Sequence, residues 1–231
     1  GAMTQIIARE FSKSFAEHDM ENIRHLFGRY VPMLYALAAY FGVFLAFQSE
    51  TLLGIFVSDE FEGAYFVLMI MAFYPIHQTY GQLNGSLFFS IENTRQYKNI
   101  GIVSSLIGLV LSYVFIYELE MGAVGFAWKM VLGQLIGVNI QLYFITRFLK
   151  VKLTSFVKHQ LVGSLFFVAI AYLVSLAPWL VDKGLLSFVF DGFLYTVLVT
   201  IGAFLFPSIF GLTRIELTNF IYKIKTVGRV T

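Results

Sequence analysis

Lys129 stands inside an otherwise uncharged run, 121–146, ahead of Gln134, Asn139 and Gln141. A lysine within an apolar segment marks a functional position by default, and its cation suits a phosphate-bearing substrate. Its long stem equally allows the ammonium to snorkel to the nearer membrane surface. Asp191, at similar depth in the run 184–213, is the carboxylate that would pair with it inside the membrane. A second concentration of polar groups comprises Tyr74, His77, Gln78, Thr79, Tyr80, Gln82, Asn84 and Ser86. Tyr74, His77, Gln78 and Gly81 share one helix face by three-and-four spacing. Two readings stand side by side: bonds to neighbouring helices, worth ~0.6 kcal/mol each, or the polar wall of a transport path.

Other chemistry finds no pattern. There is no nucleophile elbow, phosphate-cradling Gly-Lys loop or nucleotide fingerprint. His18, His25, His77 and His159 are too dispersed for a local metal motif, and the absence of cysteine excludes disulfides and thiolate metal sites. The expectation is a protein that is not an enzyme, with no cofactor, no metal and no nucleic-acid partner.

The elements that would hold these residues follow from charge. Of 231 residues, 58% are hydrophobic and 13% charged, against roughly 25% charged in soluble domains. Uncharged runs at 30–49, 63–91, 99–117 and 159–181, with the singly charged 121–146 and 184–213, are each about long enough to span, since ~20 helical residues cross the hydrocarbon. None alternates as a barrel strand must. The predicted fold is an all-α integral membrane protein, a six-helix transmembrane bundle.

Loop charges alternate along the chain. Arg9, Lys13, Arg24 and Arg29, then Arg95 and Lys98, then Arg147, Lys150, Lys152 and Lys158, then Arg214, Lys223, Lys225 and Arg229 occupy alternate segments. The intervening loops hold Asp59, Glu60 and Glu62, then Glu118 and Glu120, then Asp182 with Lys183. By the positive-inside bias both ends of the segment are expected in the cytoplasm. The predicted organisation is a cytoplasmic interfacial amphipathic segment over 1–29, four spans over 30–148, a basic cytoplasmic loop over 149–158, two further spans over 159–213 and a basic tail over 214–231.

Phe11, Phe15, Ile23, Leu26 and Phe27 recur at roughly helical spacing, which predicts a helix lying along the membrane surface. Ser14 with Glu17 fits a capping box that would start that helix. Trp179 beside Pro178, and Tyr113 with Tyr117, sit where aromatic residues mark the membrane boundary. Pro207 is placed to kink or end the last span. Gly81 with Gly85 and Gly133 with Gly137 are small-xxx-small pairs that let helices approach closely. No cleavable signal pattern precedes the charged amphipathic stretch, and Gly1-Ala2-Met3 reads as a cloning remnant or the start of a piece of a longer protein.

The order of features then carries a resemblance. Arg9-Glu10-Phe11-Ser12-Lys13 through Asp19-Met20-Glu21-Asn22-Ile23-Arg24 leads into the first span. Leu53-Gly54-Ile55-Phe56-Val57-Ser58-Asp59-Glu60-Phe61 precedes the polar second span, which ends in Asn93-Thr94-Arg95. The turn Glu120-Met121-Gly122-Ala123-Val124-Gly125-Phe126-Ala127 follows the third. Over nearly its whole length the chain resembles the C-terminal part of Wzx-type polysaccharide flippases, in the superfamily that also holds MATE drug exporters and the lipid II flippase.

The resemblance implies two six-helix lobes followed by two extra helices, with this chain as the ninth through fourteenth helices. It implies a lipid-linked sugar substrate on a polyprenyl pyrophosphate, the bacterial inner membrane, and as partners membrane lipid, upstream helices of the same protein and enzymes of polysaccharide synthesis or polymerisation. Arg95 and Lys129 are the cations that would attract the pyrophosphate. One departure is Glu92-Asn93, where the family usually has Gly before Arg; Asn93 is expected to take the left-handed turn. The alternatives are a MATE-type cation or drug antiporter, which calls for more intramembrane acids than Asp191, and a non-transporting scaffold of a polysaccharide-assembly complex.

Overall fold

The computed structural model describes residues 2–56, 63–176 and 184–216, and among them every regular element is helical. Their order is α1 (Ala2–Ala16), α2 (Met20–Phe47), α3 (Ser49–Phe56), α4 (Tyr65–Met71), α5 (Tyr74–Ser90), α6 (Thr94–Ser112), α7 (Gly122–Leu149), α8 (Leu153–Ser175) and α9 (Leu185–Leu205). A π-helical segment, Tyr113–Glu118, extends α6, and a 3-10 turn, Pro207–Phe210, follows α9. Among the described residues five helices are long and apolar enough to cross a membrane: α2, α6 with its π segment, α7, α8 and α9. The chain is therefore an all-helical protein of the multi-pass membrane kind. Trp179, Pro178, Asp59, Glu60, Glu62, Asp182, Lys183, Lys223, Lys225 and Arg229 lie outside the described residues.

The run 63–91, expected as one span, is two helices, α4 of 7 residues and α5 of 17. The cause is Pro75 at the start of α5. Proline has no N–H to donate, and its ring crowds the carbonyl four residues back. The chain turns instead through Phe73 N–H to Ile70 O (3.1 Å) and Ile76 N–H to Phe73 O (3.2 Å). At this break α2 comes unusually close: a Cβ on Gly42 would lie 2.5 Å from the Ala72 carbonyl oxygen. Ala36, Ala39, Val43 and Ala46 continue the same buried stripe of small residues along α2.

The surface helix also differs from expectation. Ser14 is buried within α1 and accepts from Asn22 Nδ2 at 2.8 Å, so it starts no helix. The next helix begins at Asp19, whose carboxylate accepts from the Asn22 N–H at 2.9 Å. Residues 20–29 are thus the first turns of α2 rather than part of a separate surface segment. Phe11 and Phe27 are fully buried, with Phe11 against Phe27 (centroids 6.5 Å) and Phe27 against Phe156 of α8 (5.3 Å). Ser12 and Ser90 share a bond of 3.0 Å, so α1 docks on the end of α5. Protein covers this apolar face, because amphipathic spacing serves a helical partner as well as a lipid surface.

One end of the bundle gathers the basic segments. Arg24 Nε donates to the Leu149 carbonyl at the end of α7 (2.7 Å), and Arg29 pairs with Glu216 beyond α9 (3.0 Å). The basic stretch 149–158 is mostly helix, with α8 starting at Leu153 after a left-handed Lys150. At the end of α5, Glu92 and not Asn93 takes the left-handed conformation (φ 56°), while Asn93 N–H closes on Phe88 O at 3.0 Å. The opposite end joins Gln48 to Asp191 of α9.

Glycines set the remaining approaches. Gly81 faces Gln134 and Val138 of α7, while Gly137 and Gly133 face Ser104 and Leu111 of α6, so both paired-glycine motifs contribute to helix packing. Gly85 meets the Tyr97 ring. Pro207 ends α9, as expected, and opens the 3-10 turn. Tyr113 and Tyr117 stack at 5.1 Å on the exposed π segment. Of the five long apolar helices α2 is the most buried and α6 the least, which makes α2 the central helix and α6 a peripheral one.

Candidate functional site

Where α2, α5, α7 and α8 meet, polar side chains collect inside the apolar core. Tyr35, fully buried on α2, has its hydroxyl 3.1 Å from the Gln160 carbonyl and 2.6 Å from Ser164 Oγ. A carbonyl can only accept, so Tyr35 donates there and accepts from Ser164. Its ring packs edge-on against Tyr80 (5.2 Å) and His159 (5.6 Å), and lies 6.2 Å from His77. His159 Nε2 lies 2.8 Å from the Ile209 carbonyl, which places the proton on Nε2 and leaves Nδ1 to accept from the Tyr80 hydroxyl at a long 3.5 Å.

Three amides on facing helices extend this layer. Asn139 Nδ2 donates to Gln160 Oε1 at 3.3 Å and Gln160 Nε2 returns a bond to Asn139 Oδ1 at 3.2 Å, tying α7 to α8. Asn84, 0% exposed, donates to the Val138 carbonyl at 3.2 Å and leaves Oδ1 without a partner. Gln134 Nε2 lies against Gly81. The face of α5 read from sequence does meet α7.

Beside this layer a cavity of about 560 Å³ opens between the α2–α3 junction, α4, α7 and α8. Its wall includes Phe47, Tyr65, Phe73 and Trp128. His77 enters it and has a buried Nδ1 with no hydrogen-bond partner. The Pro75 break places His77 here, less than one turn into α5. The wall is mostly apolar and aromatic, with Ser49, Glu50 and His77 among its polar side chains, a lining suited to an amphiphile.

The charged candidates lie elsewhere. Lys129 leans toward the start of α7, with Nζ 5.4 Å from the centre of the Phe126 ring and its stem 3.7 Å from the Cβ position of Gly108 on α6. That is the snorkelling direction. Asp191 accepts from Gln48 Nε2 at 2.9 Å, so its partner is an amide rather than Lys129. Packing explains this: α9 lies on α2 through Tyr195 stacked on Tyr40 and Phe44, while Lys129 faces α6. Arg95 is exposed in the first turn of α6. Gln78 is half-buried on α5. Among the described residues no cluster of metal-ligating side chains forms.

Tyr35, Gln160, Ser164 and Gln48 are the members that sequence reasoning passed over. Polar type within an uncharged run was the available signal, and it does not say which helix each will face.

The layer and the helices around it define a helical membrane bundle with a polar interior. Comparison with protein-family models, with curated proteins and with solved structures gave no match.

Proposed function

We propose that this chain is part of a flippase that carries a polyprenyl-pyrophosphate-linked oligosaccharide across the bacterial inner membrane by alternating access. The observation that carries the reading is the Pro75 break, which sets the polar helix α5 beside an amphipathic cavity with His77 unpartnered in it. Interrupted helices beside a cavity recur in transporters, where freed backbone and polar side chains line a path. In this reading α4 and α5 together make one crossing, so the chain crosses six times with its basic end in the cytoplasm. His77, Gln78, Asn84, Gln134 and Asn139 line or support the path, and Lys129 and Arg95 attract the pyrophosphate near its two ends. Upstream helices of the same protein complete the second lobe and supply the first.

A scaffold reading has one observation in its favour. Tyr35, Ser164, Asn139 and Gln160 direct their bonds to one another rather than to the cavity. The deciding experiment is complementation of a strain lacking its polysaccharide flippase, using this chain and a version extended by upstream helices. Rescue by the extended version supports the flippase. Failure of both, with insertion verified, overturns it, and binding to synthesis or polymerisation enzymes would then favour the scaffold. Lys129→Gln in the extended protein tests that residue alone: unchanged surface polysaccharide at normal expression removes it from the mechanism.

A further inference from the structure

At the basic end, a crevice of about 440 Å³ opens between α2, α8 and the segment after α9. Gly28 lines one side, Ser155, Lys158 and His159 another, and Ser208 and Thr213 the third. It sits at the boundary between the charged end and the apolar spans: two uncharged runs begin at 30 and 159, and a third stretch ends at 213. A phosphodiester headgroup occupies this depth in a bilayer.

Charge on the walls is one-sided. From 153 to 175 and from 207 to 216 the sole carboxylate is Glu216. It is already engaged, accepting from the Thr213 N–H at 2.9 Å and pairing with Arg29 at 3.0 Å. Lys158 is exposed, forms no ion pair among the described residues, and faces the crevice. The first turn of α8 adds to this. Its N-cap, Lys152, supplies no side-chain bond, and the Ser155 N–H closes on the Lys152 carbonyl at 3.2 Å, so the turn offers an anion the Ser155 hydroxyl and the positive end of the helix dipole.

The same face of α8 changes character toward the membrane. Val162, one turn beyond Lys158, lines the crevice and is 43% exposed, and Leu165, the next residue on that stripe, is 66% exposed. A site with a cation, a hydroxyl and a helix N-terminus at the interface, continued by an open apolar stripe, matches an amphiphile with a negative head. Basic pockets between transmembrane helices bind anionic headgroups for this reason.

We infer that this crevice seats an anionic phospholipid, its phosphodiester at Ser155, Lys158 and the start of α8, and an acyl chain along Val162 and Leu165. The inference is independent of the flippase reading. It asks only that the bundle reside in a membrane.

The test is native mass spectrometry of the chain released from nanodiscs of phosphatidylglycerol or of phosphatidylcholine. Phosphatidylglycerol should remain bound and phosphatidylcholine should not. Lys158→Gln should lower phosphatidylglycerol retention about fivefold, the effect of one basic residue at a membrane surface, whereas Lys98→Gln at another basic turn should leave it unchanged. Ser208→Trp, which fills the crevice and keeps every charge, should lower retention as much and covers the case of a Lys158 variant that fails to fold. Equal retention of the two lipids, or retention untouched by both crevice variants, overturns the site. Displacement by millimolar glycerol 3-phosphate as readily as by phosphatidylglycerol would make it a free-anion site and overturn the lipid.

Discussion

The reciprocal amide pair Asn139–Gln160 makes a measurable claim about how α7 is held to α8. Its two bonds, 3.3 and 3.2 Å, are at the long end for N–H···O, and Asn139 Nδ2 also donates to Leu135 O at 2.8 Å. Interhelical bonds in membranes average ~0.6 kcal/mol each, so the pair should couple by about 1 kcal/mol. The single variants need not be equal. Asn139→Ala leaves the buried Gln160 amide with no side-chain partner, which adds an orphan cost and brings the loss to about 2 kcal/mol. Gln160→Ala leaves Asn139 half-buried and still bonded to Leu135, for a loss of about 1 kcal/mol. The double variant should then be less destabilised than the sum by about 1 kcal/mol. Reversible unfolding of the four proteins in bicelles, followed by steric trapping, measures this. A coupling below ~0.3 kcal/mol, within ordinary additivity, would refute the pair and with it the argument that these amides serve assembly.

Other predictions test backbone geometry and charge. Gly42→Ala should cost ~1–3 kcal/mol as an overpacked contact, because the new Cβ meets the Ala72 carbonyl at 2.5 Å, whereas Gly101→Ala, with nothing within 4 Å, should cost nothing; equal thermal shifts for the two would refute the close approach at the α4–α5 break. Glu92→Gly should raise stability by about 1 kcal/mol, since the left-handed conformation penalises a side chain by that order and φ there is 56°; an unchanged denaturation midpoint removes the strain. Glu216 is held below the usual glutamate range by the Thr213 N–H, then by the Thr213 hydroxyl, and more weakly by Arg29. A lowered folded value means that its stabilisation is complete above the ordinary value of ~4.3 and is lost as pH falls through the lowered one. Carboxyl-carbon NMR should therefore show Glu216 titrating below the usual glutamate range, and Thr213→Ala should move it upward; a midpoint that stays put in that variant would assign the shift elsewhere.

Much of the fold was legible because charge and hydropathy act locally. The apolar runs that became α2, α6, α7, α8 and α9 needed only their own residues to be read. Pro75 was equally visible, yet its effect depended on whether the freed carbonyls near Met71 would find other support. They do so through a turn that Gly42 of a distant segment makes room for. The interfacial helix shows the same limit. Phe11 and Phe27 announced an apolar face, and nothing within that segment distinguished a lipid surface from α8 as its cover.

The candidate site divides along the same line. The face of α5 carrying Tyr74, His77 and Gly81 followed from three-and-four spacing, and it does meet α7. Which atoms satisfy one another did not follow, because Tyr35 and Gln160 lie 125 positions apart and meet only through the docking of α2 on α8. Charge pairing failed for the same reason. Asp191 and Lys129 attract each other on paper at any separation, but Asp191 comes to Gln48 once aromatic stacking fixes α9 on α2. Inside a membrane a polar side chain takes the nearest partner its helix presents, so nonpolar packing settles the polar network and not the reverse. Where packing offers no partner the polar atom is left over, as at Asn84 Oδ1 and at the buried His77 Nδ1 beside the cavity.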